Sequence, residues 1–130
     1  MTDLYGIVDD YILRRANIEN YKNGRAKIGC IIISESFDLF GINHYNIDSK
    51  FNSRHAEVDA VTKLKYTEKQ KKVKIIVFRT NNKGDKLLMA KPCEHCVQEI
   101  RRTLKFKNYK LDKNRCYYTN ENGIIESIKI

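Results

Sequence analysis

The sequence contains no apolar run close to the ~20 residues that a membrane-spanning helix requires, so no membrane partner is expected. It has four cysteines, of which only two stand close together, and this does not make the framework of a disulfide-stapled secreted domain. Residues Met1 to Arg15 alternate acidic and apolar side chains and lack the basic, apolar and small-residue zones of a secretory signal. An intracellular, reducing, cytoplasmic setting is therefore expected. There are no internal repeats and no shift in composition that would divide the chain. At 130 residues it reads as one domain, 1–130, with enough length for a single sheet-and-helix core. Proline occurs once, at Pro92, and histidine three times, at His44, His55 and His95, so each position carries information.

Basic residues, by contrast, are abundant. Lys and Arg number 25 against 16 Asp and Glu, a net charge of +9, which suits phosphorylated or polyanionic partners. The many lysines come with many Asn and Ile, a bias that A- and T-rich codons also produce. The charge thus permits a nucleic-acid partner without requiring one.

Periodicity gives an alternation of helices and strands. Leu4, Ile7, Val8, Tyr11 and Ile12 form one apolar stripe of a first helix, capped by Thr2 or Asp3. Ala26 to Ser34 holds the β-branched run Ile31-Ile32-Ile33 of a buried strand, and Leu39 to Asn43 returns as its hairpin partner. His44 to Ser53 is polar, aromatic and aperiodic, and is read as a loop walling a pocket. A second helix is predicted over Arg54 to Tyr66 and a strand over Val73 to Thr80. Leu87-Leu88-Met89 adds a short extended piece. A third helix runs from Cys93 to Phe106, and strands over Arg115 to Thr119 and Ile124 to Ile130 flank the turn Asn120-Glu121-Asn122-Gly123.

Two motifs stand at helix starts. Lys91-Pro92-Cys93-Glu94-His95-Cys96 puts two thiols three residues apart, on one face of a helix opened by proline. His55-Ala56-Glu57 opens the preceding helix with an imidazole and a carboxylate. These two are about 200° apart around an ideal helix and converge only at its mouth. Two thiolates and one imidazole (Cys93, Cys96 and His55) make a three-ligand zinc site with the fourth tetrahedral position open for water, the arrangement of catalysis. Were Cys30 or Cys116 a fourth ligand, the site would be closed and structural. Both lie in apolar strands and are read as small core residues. His95 and His44 are read as rim or surface residues. Helix N-termini favour thiolate, and Zn²⁺ with two thiolates and a neutral imidazole sums to zero charge.

In this order, H-x-E and P-C-x-x-C resemble the signature of the cytidine deaminase-like superfamily. The resemblance implies a three-layer α-β-α fold around a five-stranded mixed sheet. It implies zinc as cofactor and a water activated for attack on the amidine-like carbon of a base. Glu57 would be the catalytic residue that passes protons to the ring nitrogen and the departing ammonia. Gly41-Ile42-Asn43 resembles the Gly-x-Asn of nucleoside cytidine deaminases, which makes Asn43 the candidate sugar contact. Tyr45 stands where those enzymes commonly carry glutamate. With Phe51, and with Ala56 and Pro92 inside the motifs, it completes the expected substrate wall.

Only four residues join the last two strands, too few for a parallel crossover, so these strands are expected to pair antiparallel. Within the superfamily that arrangement resembles the nucleoside-type enzymes. The expected substrate is the cytosine base of a nucleoside or nucleotide, converted to uracil. A cytidine or adenosine in single-stranded DNA or RNA is the alternative that the charge suggests. Enzymes of the nucleoside type are usually homodimers or homotetramers.

Overall fold

β-Branched residues concentrate in two segments, and these become the centre of the sheet. The computed structural model describes residues 5–8, 27–42, 44–45, 53–54, 56–80 and 86–130. Strand β1 (Lys27–Ile33) lies between β2 (Asp38–Ile42) and β5 (Lys71–Thr80), antiparallel to both. Strand β7 (Tyr109–Thr119) pairs parallel with β5, and β8 (Ile125–Lys129) closes the order β2-β1-β5-β7-β8. The expected five strands are six, because β6 (Leu87–Leu88) pairs with Arg79 and Thr80 at the end of β5. Two residues are too few to show an alternation in sequence.

The last two strands do pair antiparallel, from Arg115↔Lys129 to Thr119↔Ile125. Asn120 shapes their turn. Its Oδ1 accepts the Asn122 and Ile124 amides at 2.8 and 2.9 Å, and Gly123 takes the left-handed φ of 76° that a side chain would disfavour. Strand β7 begins at Tyr109, earlier than the predicted Arg115. The polar run Asp112 to Arg115 hides the alternation. Lys113 and Asn114 have positive φ, and the register with β5 shifts between Val73 and Ile75, as at a bulge.

Side chains alternate across the sheet and separate two cores. Cys30, Ile32, Ile75, Val77 and Cys116 face helices α1 (Ala56–Thr62) and α2 (Glu94–Lys107). Ile31, Phe40, Ile76 and Phe78 face the other way, where Val8 of the helical residues 5–8 is fully buried. The layers are therefore α, β and α. Helix α1 is shorter than predicted. Lys63 and Leu64 donate to carbonyls three residues back, at 3.1 and 3.2 Å, and the tightened turn ends it. Among the described residues no helix is long and apolar enough to cross a membrane.

The predicted loop 44–53 has paired ends, β3 (His44–Tyr45) against β4 (Ser53–Arg54), with His44 opposite Arg54. Its interior lies outside the described residues.

The two helices are fastened at their C-terminal ends. Lys107 Nζ donates to the Val61 and Thr62 carbonyls at 3.0 and 2.9 Å, satisfying the end of α1 from the last turn of α2. Asn108 follows in the left-handed conformation, φ 71°, and its side chain donates to the carbonyls of Thr67 and Glu68. Tyr109 Oη donates to Lys65 O at 2.6 Å. With both C-termini at one end of the sheet, both N-termini lie at the other.

Strand β2 meets α1 at backbone distance. A Cβ on Gly41 would stand 2.5 Å from both Ala56 O and Ala60 N, and Ala56 and Ala60 are themselves fully buried. Gly41→Ala is expected to push α1 off the sheet and to cost about 1–3 kcal/mol in denaturant unfolding, as overpacking of a rigid contact does. An unchanged midpoint would show that the helix can yield.

Candidate metal and proton-transfer site

The second helix presents its thiols on its first turn. Cys93 is the N-cap residue, extended at φ −71° and ψ 165°, and its carbonyl accepts the Val97 amide at 3.0 Å. Its side chain makes no capping hydrogen bond, so the thiol is not committed to the helix. Cys93 is exposed, whereas Cys96, one turn on, is completely buried. Pro92 precedes the cap; it is not in the first turn, where the sequence had suggested it. There it is buried and holds Lys91 away from helical geometry.

The approach to this turn is held by a residue that sequence reasoning missed. Thr119, fully buried at the end of β7, donates from Oγ1 to Leu88 O at 2.7 Å, and its carbonyl accepts the Ala90 amide at 2.8 Å. A threonine ending a strand has no motif to announce it. Arg79 was also missed. It pairs with Leu88, and its buried Nε has no hydrogen-bond partner among the described residues.

The carboxylate reaches the same place from the other helix. Glu57 is the second residue of α1 and only 5% exposed. The Cys96 thiol lies near it and near Cys93, and both neighbours raise its pKa. Burial above all, then the Glu57 charge, holds the Cys96 thiol far above its ordinary range. Burial and then the same charge push Cys116 up to about 12. Cys30 is raised by burial first, with Glu57 next. Every side-chain charge that shifts these thiols is negative.

That donor set fits a divalent cation. Among the described residues no side-chain cation shifts these thiols, and a metal bound at the two sulfurs would offset the negative charge of Glu57. His55, the expected third ligand, lies outside the described residues, between the end of β4 and the start of α1. Among the described residues no group of three His, Cys, Asp or Glu side chains is spaced to hold a metal. Asn43 and Phe51 also lie outside the described residues. Tyr45 is in β3, and nothing is described of its side chain. Ala56 is fully buried against Gly41, and His95 is exposed.

Residues 9–110 match the family model of the cytidine and deoxycytidylate deaminase zinc-binding region. The chain belongs to this deaminase family. Its fold is similar to the crystal structure of cytidine deaminase from Mycobacterium leprae, at 16% identity and a TM-score of 0.56, over 97% of this chain and 94% of that one. Cytidine deaminase from Burkholderia pseudomallei is similar at 15% identity and a TM-score of 0.57, over 98% and 93% of the two chains. At such identities the likeness is one of fold. No curated protein matches the chain significantly. The family is named for zinc binding, and the paired thiols beside Glu57 suit that chemistry.

Two outcomes follow for the deaminase. Thr119→Val keeps the shape and removes the donor to Leu88, so it should cost about 1–3 kcal/mol and weaken zinc retention against a chelator. An unchanged chelator half-life would detach Thr119 from the site. In the zinc-free protein the folded state keeps the Cys116 proton that the unfolded chain releases near its ordinary value of 9.0. Stability should therefore fall as pH rises from about 9 towards 12, and Cys116→Val should lessen that fall in thermal melts.

Proposed function

We propose that the chain is a zinc-dependent hydrolytic deaminase that converts the cytosine base of a nucleoside or nucleotide to uracil and releases ammonia. The observation that carries the reading is the burial of Glu57, in the first turn of α1, beside Cys96, in the first turn of α2, close enough for its charge to raise the thiol. In this reading His55, Cys93 and Cys96 hold the metal. Bound zinc supplies a water acidified to near neutral pH.

Glu57 is the group that moves protons. It takes one from the attacking water, gives it to the ring nitrogen, and carries the next to the exocyclic amine, which leaves as ammonia. Its burial keeps the transferred proton out of exchange with bulk water. In this reading Asn43 is the sugar contact, and Tyr45 and Phe51 are further substrate contacts. Ala56 and Pro92, both buried, contribute backbone to the wall.

The antiparallel β7–β8 pair supports a nucleoside-type enzyme, since that arrangement resembles the free-nucleoside group. Arg79, whose buried Nε has no hydrogen-bond partner among the described residues, supports admitting a substrate with an anionic substituent, hence nucleotides as well. The working form in this reading is a homodimer or homotetramer in the cytoplasm.

The test is ammonia release and product mass on cytidine, deoxycytidine, their monophosphates, adenosine and a cytosine-containing single strand. Turnover of a mononucleoside or mononucleotide is expected. Glu57→Gln should keep its zinc and lose activity by at least about 100-fold, the usual contribution of a positioned acid–base group. A variant that deaminated at near the normal rate would remove Glu57 from the mechanism. Turnover of the strand alone would replace the small-molecule reading.

A further inference from the structure

At the pole opposite the thiols, two aromatic rings stand in solvent. Phe106, in the last turn of α2, is 78% exposed, and Tyr66, just past α1, is 66% exposed. The segments that carry them are bound directly to each other. The Thr67 amide donates to Lys107 O at 3.2 Å, the Lys71 amide donates to Asn108 O at 3.3 Å, and the Asn108 side chain donates to Thr67 and Glu68 carbonyls. Tyr109 Oη donates to the Lys65 carbonyl. These bonds fix the backbone beneath both rings, so the rings are presented by a rigid base.

The same segments carry lysines. Lys65, Lys69, Lys71, Lys105 and Lys110 are all exposed, and Lys71 stands opposite Tyr109 in the β5–β7 register, next to Lys110. Glu68 is the one carboxylate on these stretches, 65–71 and 105–110. Two other basic residues of α2 are engaged: Arg102 binds both Glu99 oxygens at 2.7 Å, and Lys107 caps α1.

We propose that this pole is a binding surface for single-stranded nucleic acid, with Tyr66 and Phe106 stacking on bases and the five lysines contacting phosphates. Exposed aromatics within a cationic surface are what a flexible strand requires, because every base offers a face and every linkage a charge. A protein partner fits less well, since lysine is depleted at such interfaces. A lipid surface would call for exposed aliphatic side chains, and the exposed large apolar residues of these two stretches are Tyr66 and Phe106. The surface lies one length of α2 from the thiols, about 21 Å for fourteen helical residues. It is thus separate from the site, and the inference does not depend on which base that site accepts.

The experiment is fluorescence anisotropy of the full zinc-loaded chain with a labelled oligothymidylate. The comparisons are the same strand as a duplex, heparin, and vesicles containing phosphatidylserine. Binding to the single strand is expected, tighter than to the duplex, with affinity falling linearly in log salt. Tyr66→Ala and Phe106→Ala should each weaken strand binding at least about fivefold and leave heparin binding unchanged. Exchanging Lys69, Lys71 and Lys105 for Gln should flatten the salt dependence. Melting curves check that each variant is folded, and cytidine turnover, where present, should be unaffected. Absence of strand binding at low salt would overturn the proposal, as would aromatic variants that bind like the parent. Capture by the vesicles alone would assign the pole to a membrane surface instead.

Discussion

A carboxylate and a thiol placed together away from water destabilise a protein unless something compensates, and Glu57 and Cys96 are placed so. The compensation within the chain is partial. Burial and the Glu57 charge keep the proton on the Cys96 thiol, and Cys30 and Cys116 are raised by burial and by the same charge. A divalent cation bound at the sulfurs would remove the cause of the strain, since thiols coordinate as thiolates and the nearby carboxylate then faces positive charge. The rest of the fold is arranged so that this meeting occurs.

Four contacts far apart in sequence bring it about. Gly41 lets α1 lie against β2 at backbone distance, which sets the depth of Glu57. Lys63 holds the same helix from its other end, donating to Phe40 O at 2.8 Å and pairing with Asp59 at 3.2 Å. Thr119 fixes the segment that leads into Cys93. Lys107 then links the far ends of the two helices, so neither start can drift from the other without breaking bonds to backbone carbonyls. None of these four residues bears on chemistry directly.

That division explains what could be read in advance. The Ile-rich strands and the Asn120–Gly123 turn are local patterns, and local patterns survive in sequence. The antiparallel end of the sheet followed from chain length alone, because four residues cannot make a parallel crossover. Strand β6, the paired ends of 44–53 and the early start of β7 did not follow, because pairing partners supply what two-residue or polar segments lack. Gly41 was legible as part of a motif but not as a packing contact. Thr119 and Arg79 carried no signal at all. The charge was legible only as a sum. Arg102 and Lys107 are occupied with Glu99 and with α1, whereas Lys65 and Lys69 meet Lys105 at one pole only after folding.

The central claim is that a two-sulfur, one-imidazole zinc site is built where the two helix starts meet, with Glu57 beside it and not in it. X-ray absorption at the zinc edge of the purified, zinc-loaded chain tests it most directly. The account predicts two sulfur ligands per zinc with the remainder nitrogen and oxygen, unchanged in Glu57→Gln. Three or four sulfurs would contradict it, since Cys30 or Cys116 would then close the site and leave no position for water.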